Sequence, residues 1–267
     1  MSFLSSTSKA ERRLLELGIF DPLAIDLEAI AWDEGVRVQY KDLVGCEARL
    51  VGYNSRAIAT IRKGSDPRRK RFSLAHELGH WNYHRGRSFE CRVDDWVEGY
   101  SRKPVEEKEA DQYASELLMP AYMFAPLAKK LKRPTIDGVK ELADKFNTSL
   151  TATAIRLVDM NVWPLVLVCH SKNGRLWFNR SKDVPDRWFP QKDLSSDSMA
   201  FDMLFGQAER VRYQKATAET WFDNREADRY DIIEDALRIS SEQVLCLLWL
   251  ENDEMLEEKA SYGRYSR

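Results

Sequence analysis

The sequence predicts an α+β fold: a mostly helical core that carries a small β-sheet, followed by a helical segment and a C-terminal α+β module. Two observations predict it. Apolar residues recur at helical spacing in some segments and alternate or run continuously in others. The first helices are expected at 9–17 and 23–34, and the first strands at 36–40, 47–53 and 57–62.

The composition of the chain excludes few classes of protein. The chain has 267 residues, enough for one large domain or two modest ones, and a formal net charge of −2 that demands neither nucleic acid nor an anionic membrane as partner. The N-terminus has no apolar run of signal-peptide length, and the longest apolar stretch, residues 244–250, is too short to span a bilayer. We interpret the chain as cytoplasmic.

The segment RFSLAHELGHWNYH, residues 71–84, holds three of the four histidines and an HExxH motif. On a helix, His76 and His80 present two imidazoles to one side, which suits zinc. Glu77 follows the first of them, where a carboxylate can act as general base on a zinc-activated water. The alternative is an amphipathic helix with solvated histidines.

The sequence also predicts where this helix starts. Asp66 is a candidate N-cap, and Pro67 would take the first helical position. The basic run at 68–71 follows in the first turn, where cations oppose the helix dipole. We interpret this run as a solvated loop; holding an acidic partner is the alternative.

Two histidines leave a catalytic zinc one protein ligand short. His84 cannot supply it, because eight residues along one helix separate it from His76 by about 12 Å. His84 could instead cap the helix end.

The missing ligand is expected on the next helix, VEEKEADQYASELLMP at 105–120. Of its first three acids, Glu107 alone has another acid, Asp111, four residues later on its own face. Asp111 could accept a hydrogen bond from the far nitrogen of a ligating histidine. Glu109 is placed on the opposite side, as an ordinary solvated charge.

These two helices resemble the ImmA/IrrE family of zinc metallo-endopeptidases. The family pattern is a His-Glu-Leu-Gly-His helix followed by Glu-x-x-Ala-Asn/Asp-x-Phe-Ala and Leu-Leu-Met-Pro. Here Asp111 fills the Asn/Asp place and Tyr113 the Phe place, and the likeness covers about residues 24 to 160. The resemblance implies a zincin-like peptidase domain at 1–125, with zinc ligands His76, His80 and Glu107 and general base Glu77.

The family is known for cleaving helix-turn-helix repressors or regulators that control phage, mobile-element, stress-response or toxin–antitoxin genes. The resemblance therefore implies such a protein as substrate. Two alternatives stay open: a non-catalytic zinc-containing binding module and a DNA-binding regulator. The oxyanion-stabilising group is also left open among Tyr83, Tyr113, His84 and the arginines of 85–104.

Residues 126–160 contain a helix-turn-helix-like segment at 139–158, similar to segments that follow the peptidase core in family members. Its second helix offers only Arg156 as a cation, so the sequence disfavours direct DNA binding. Packing against the peptidase, or docking of the repressor, is the preferred interpretation.

The pattern changes again at Trp163-Pro164, and residues 161–252 are predicted to form the C-terminal α+β module. Asn173-Gly174 between two apolar runs indicates a hairpin. The module resembles in its position the GAF-type sensor domain of some family members. Its five tryptophans are assigned to the core, with a small-molecule pocket as the alternative. Residues 253–267 are predicted to be a frayed, charged tail.

Overall fold

The computed structural model describes residues 7–85, 89–92, 104–208 and 210–257. The chain divides into two compact units. The first comprises Met1–Arg133 and Asp137–Met160, and the second comprises Pro134–Ile136 and Asn161–Arg267. Each unit combines helices with one sheet, which confirms the α+β class.

The first unit contains the helices expected from the sequence and a four-stranded sheet. Its helices are α1 (Lys9–Glu16), α2 (Leu27–Asp33), α3 (Pro67–Tyr83), α4 (Val105–Leu118), α5 (Ala121–Ala128), α6 (Ile136–Phe146) and α7 (Leu150–Asp159). Its strands are β1 (Val36–Lys41), β2 (Cys46–Tyr53), β3 (Arg56–Arg62) and β4 (Phe89–Arg92).

The strand order of this sheet is β1-β3-β2-β4. β1 runs parallel to β3, whereas β2 pairs antiparallel with both β3 and β4. α3 packs on the sheet through Trp81, whose ring lies against Gly52 of β2 and whose Nε1 donates to the Glu34 carbonyl at 3.0 Å. A side chain at position 52 would meet this ring, since a Cβ there would lie 3.0 Å from it.

The expected start of α3 is confirmed. The Asp66 side chain accepts hydrogen bonds from the backbone N–H groups of Arg68 (2.8 Å) and Arg69 (3.3 Å), and Pro67 occupies the first turn, where its missing N–H costs nothing. Every residue from 73 to 81 is buried. α3 is therefore the central helix of the unit.

The basic run at 68–71 belongs to α3, and its interpretation as a solvated loop is wrong. Arg68 pairs with Asp144 of α6, with 2.5 Å between Nη2 and Oδ1. The Arg71 guanidinium donates to the Ile25 carbonyl at 2.9 Å. These cations oppose the helix dipole but are stabilised by acceptors from neighbouring segments, so they fix the N-terminal end of α3.

α3 and α4 approach each other closely at Gly79. A Cβ at this position would lie 2.8 Å from the Cα and 2.9 Å from the carbonyl oxygen of Ala110. Ala110 and Ala114 are fully buried on the facing side of α4. The small side chains thus allow the close contact, and this contact sets the position of the acidic residues of α4 relative to the histidines.

The helix-turn-helix-like segment forms α6 and α7. Arg156, the one cation in the sequence of α7, is 6% exposed. Its Nε donates to the Met119 carbonyl at 2.9 Å, and its Nη2 lies 3.8 Å from a carboxylate oxygen of Glu11. Arg156 therefore holds α7 inside the first unit and does not present a charge at its surface.

The described part of the second unit has one antiparallel sheet and one α-helix. Its strands are β5 (Leu165–Ser171), β6 (Gly174–Arg180), β7 (Arg210–Thr217), β8 (Asp231–Ser240) and β9 (Gln243–Trp249), and its helix is α8 (Met199–Phe205). The order is β6-β5-β9-β8-β7. The β5–β6 hairpin confirms the Asn-Gly prediction: Gly174 adopts a φ of +106°, a conformation that favours glycine.

The core of this unit lies between one face of the sheet and α8. Trp188 and Trp221 are buried in it, as assigned for those two residues. Glu234 of β8 is also fully buried and accepts hydrogen bonds from Trp221 Nε1 at 3.0 Å and from the Ala200 backbone N–H at 3.1 Å. A buried carboxylate satisfied in this way joins the start of α8 to the sheet.

The predicted tail is partly wrong. Residues Asp253–Met255 form a 3₁₀ helix, Met255 is buried, and its carbonyl accepts a hydrogen bond from Trp188 Nε1 at 2.6 Å. Residues 258–267 lie outside the described part of the chain. The apolar stretch at 244–250 is largely β9, and no described helix is both long and apolar enough to cross a membrane.

Replacing Gly79 by alanine tests the close contact. We expect Gly79→Ala to lower the free energy of unfolding by about 1–3 kcal/mol, because the new methyl overlaps backbone atoms of α4 that cannot rotate away. The better helix propensity of alanine, about 1 kcal/mol, acts in the opposite direction, so a net loss reports packing. Urea denaturation gives the value.

Gly64→Ala is the matched control. Position 64 is an exposed turn with no heavy atom within 4 Å of a built Cβ. Its unfolding free energy should stay within about 0.5 kcal/mol of the parent value. A Gly79→Ala protein as stable as the control would contradict the packing described above.

Candidate metal centre

Three side chains from two helices converge on one point. His76 and His80 of α3 lie one turn apart, and their Nε2 atoms are 3.0 Å from each other. Glu107 of α4 completes the set: its Oε2 lies 3.2 Å from His76 Nε2, and its Oε1 lies 3.3 Å from His80 Nε2. The three residues form a group whose ligand atoms could hold one metal ion.

The spacing of these atoms fits a tetrahedrally coordinated cation. With metal–ligand bonds of about 2.0–2.1 Å, as zinc makes to nitrogen and carboxylate oxygen, ligand atoms in a tetrahedral site lie about 3.3 Å apart. The observed separations of 3.0–3.3 Å match this value. Two imidazoles and one carboxylate are also a donor set that zinc uses in proteins.

Asp111 contacts the nitrogen of His76 that faces away from Glu107. Its Oδ1 lies 2.9 Å from His76 Nδ1, and a carboxylate there favours the tautomer with the ring proton on Nδ1. In that tautomer Nε2 would present a lone pair to the point where His80 and Glu107 converge. This is the arrangement in which an outer carboxylate supports a metal-binding histidine.

The electrostatics of the group also favour a cation. Burial raises the pKa of the Glu107 carboxyl, but hydrogen bonds and charges from His76 and His80 outweigh burial and hold that pKa well below its ordinary value. Burial lowers the pKa of His80, which the Glu107 hydrogen bond offsets only in part. The lowered pKa of Glu107 favours its ionised carboxylate, and the lowered pKa of His80 favours its neutral ring, which are the forms that bind a metal.

Glu77 lies on α3 directly after His76 and is fully buried. A buried carboxylate carries a large desolvation cost, which is characteristic of sites where its chemistry is used.

Sequence reasoning missed the surroundings of His80. Its Nδ1 lies 3.3 Å from Nδ1 of His84, and His84 Nε2 lies 2.9 Å from Oε2 of Glu109. His84 is the C-cap residue of α3, as the sequence suggested, but it also joins the site. Glu109 lies on a solvated side of α4, as assigned, with its side chain 50% exposed, but it also pairs with His84, which the sequence did not predict. The repeat of histidine every four residues was the signal that could have identified His84 as a neighbour of His80.

The side chains considered as oxyanion-stabilising groups have different surroundings. Tyr113 is buried between α3 and α4, where its hydroxyl accepts from Asn82 Nδ2 at 3.0 Å. The Tyr83 ring lies 5.2 Å from Lys9 Nζ, and the Arg85 guanidinium lies 4.7 Å from the Trp81 ring. His84 has the contacts given above. The remaining arginines of the 85–104 segment lie outside the residues whose side chains the structure describes.

Comparison with known proteins identifies the domain that carries this centre. Residues 31–158 match the model of the IrrE N-terminal-like domain, a peptidase family. This domain match supports membership of the ImmA/IrrE family. The match includes α3, α4 and the three converging residues. Among curated proteins, no sequence matches the chain.

A solved structure shares the fold over almost the whole chain. It is titled "Mycobacterium tuberculosis transcriptional regulator", is 15% identical in sequence, and superposes with a TM-score of 0.57. The alignment covers 97% of this chain and 92% of that one. Since the identity is low, this likeness concerns the fold, including that of the second unit.

The centre predicts a graded response of metal binding to substitution. Glu107→Ala removes one of the three converging groups that could hold the ion, and it should leave the protein nearly empty of metal. Asp111→Ala removes only the partner of His76 Nδ1 and should weaken affinity by roughly 10–100-fold. Competition with a chromophoric chelator measures both.

Gln112→Ala is the control on the same helix, because the Gln112 amide bonds to Glu116 and not to a histidine. It should bind metal like the parent protein. If Glu107→Ala retained metal at parental affinity, the third ligand would have to be another residue.

Proposed function

We propose that the protein is a zinc-dependent metallo-endopeptidase that cleaves a helix-turn-helix transcriptional regulator. The observation that carries the proposal is the convergence of His76, His80 and Glu107, with buried Glu77 next to the first histidine. Family membership supports it, because the matched domain is a peptidase family. In this proposal, three protein ligands leave one metal position for catalysis.

The chemistry is divided between metal and protein. Zinc, when bound, lowers the pKa of water and polarises a peptide carbonyl. Glu77 accepts a proton from the attacking water as its oxygen bonds to the carbonyl carbon, and then donates that proton to the amine nitrogen as the C–N bond breaks. Asp111 holds the His76 ring in the tautomer that directs Nε2 inward.

The substrate class is inferred from the family. Its members are known for cutting helix-turn-helix repressors, and the fold relative titled a transcriptional regulator supports a role in gene control. α6 and α7 are proposed to dock such a regulator. The second unit is proposed to be sensor-like, where a small molecule would adjust peptidase activity.

Two rival functions are less well supported. A DNA-binding regulator would need cations on α7, but Arg156 is buried against Met119 and Glu11. A carboxylate buried next to a proposed metal ligand is costly to retain. A non-catalytic binding module would have no chemical use for Glu77 that offsets this cost. The peptidase proposal uses every residue of the centre.

Glu77→Gln separates catalysis from binding. The zinc-loaded protein is incubated with a helix-turn-helix regulator from the same genome, and products are resolved by gel electrophoresis and mass spectrometry. We expect the parent protein to cut this regulator, and Glu77→Gln to lose at least roughly 100-fold in rate, the lower range for loss of a general base.

Zinc content is measured on the same samples, and Glu77→Gln should retain about one zinc per chain because Glu77 is not among the three proposed ligands. Cleavage by Glu77→Gln at the parental rate would overturn the general-base role. Stable capture of the regulator without cleavage by either protein would favour the binding module.

A further inference from the structure

Both proposed histidine ligands have a partner on the nitrogen that faces away from the metal. For His76 that partner is the Asp111 carboxylate, in direct contact. For His80 it is another ring: the two Nδ1 atoms of His80 and His84 are 3.3 Å apart. His84 in turn contacts a carboxylate, with 2.9 Å between its Nε2 and Oε2 of Glu109.

If His80 binds a metal, the positions of the ring protons of His80 and His84 follow. If Nε2 of His80 is to bind a cation, its lone pair must be free, so the ring proton is on Nδ1. Nδ1 of His84 must then accept that proton in a hydrogen bond. A neutral His84 ring carries its own proton on Nε2, which faces Glu109, and an ionised carboxylate accepts it.

We propose that His84 and Glu109 are positioning residues for the metal site: together they hold His80 in the tautomer and orientation that direct its Nε2 at the metal. The inference rests on the proposed function, because it assumes a metal bound by His80. Glu109 thus orients His80 through the His84 ring, whereas Asp111 orients His76 by direct contact.

The burial of the three groups supports this role. His80 is fully buried and the His84 side chain is 9% exposed, whereas the Glu109 side chain is 50% exposed. A carboxylate so exposed would contribute little as an isolated ion pair. Its hydrogen bond to the nearly buried His84 ring instead favours one of the two neutral tautomers of His84. That tautomer in turn favours the His80 tautomer whose Nε2 can bind the metal. The effect should therefore appear in metal affinity more than in stability.

The contact between α3 and α4 explains how Glu109 reaches the histidines. Measured around α4 from Ala110, where the helices touch, Glu109 and Asp111 lie about 100° away on opposite sides. One carboxylate therefore flanks each side of the contact. Asp111 meets His76 on one side, and Glu109 meets His84 on the other.

The test uses the full-length protein and zinc alone, with affinity measured by chelator competition. His84→Ala removes the partner of His80 Nδ1 and should weaken zinc binding by roughly 10–100-fold, as for other outer partners of metal ligands. Glu109→Ala should weaken it by roughly tenfold, the lower end of that range, because one ring intervenes. Glu109→Gln keeps an oxygen acceptor for His84 Nε2–H and should restore most of the affinity.

Histidine side-chain ¹⁵N NMR of the zinc-loaded protein supplies a second readout. In the parent protein and Glu109→Gln, His80 should carry its proton on Nδ1 and His84 on Nε2. In Glu109→Ala, the His84 signals should move towards a mixture of the two neutral tautomers. A merely structural role of Glu109 predicts no such change.

Gln112→Ala is the control, since its bond to Glu116 lies on α4 but does not involve a histidine. Thermal melts check that every variant is folded. If the parent binds zinc and both Glu109→Ala and His84→Ala bind it with parental affinity, the inference is overturned while the proposed function stands. If the parent binds no zinc, the proposed function fails and the inference fails with it.

Discussion

The close contact of α3 with α4 at Gly79 and Ala110 is the constraint on which the rest of the centre depends. Gly79 leaves no space for a Cβ, because Ala110 backbone atoms lie within 3 Å of where it would be. That distance brings Glu107 to within 3.3 Å of both histidine nitrogens. A larger separation of the helices would leave two imidazoles on a buried face with no third ligand.

α3 must itself be rigid for this contact to be useful. Its start is capped by Asp66 and held by Arg68 and Arg71, and Trp81 packs on Gly52 of the sheet. The histidines thus lie on a helix fixed at both ends, and each ring has its orientation set by a neighbouring side chain. Metal ligands held in this way need little rearrangement when a cation binds, which favours affinity.

The second unit uses a buried carboxylate differently. Glu234 is as buried as Glu77, but it accepts hydrogen bonds from Trp221 and from the start of α8, so its role is structural. Burial alone therefore does not distinguish a catalytic acid from a structural one. The catalytic role proposed for Glu77 rests instead on its place next to a histidine of the centre, on the helix that carries two of the three converging residues.

The sequence by itself determined what depends on a single element. Helical periodicity put His76 and His80 on one side of α3, and apolar strand patterns and an Asn-Gly turn predicted β1, β2, β3 and the β5–β6 hairpin but not β4. The tertiary structure decided how elements meet. The basic run at 68–71 proved to be anchored, because its acceptors come from segments distant in sequence. Glu109 is exposed, as its position on the helix predicted, but its partner His84 comes from the other helix and was not predicted. Periodicity fixes angles within a helix, but the point where two helices cross is set by packing, which no local pattern contains.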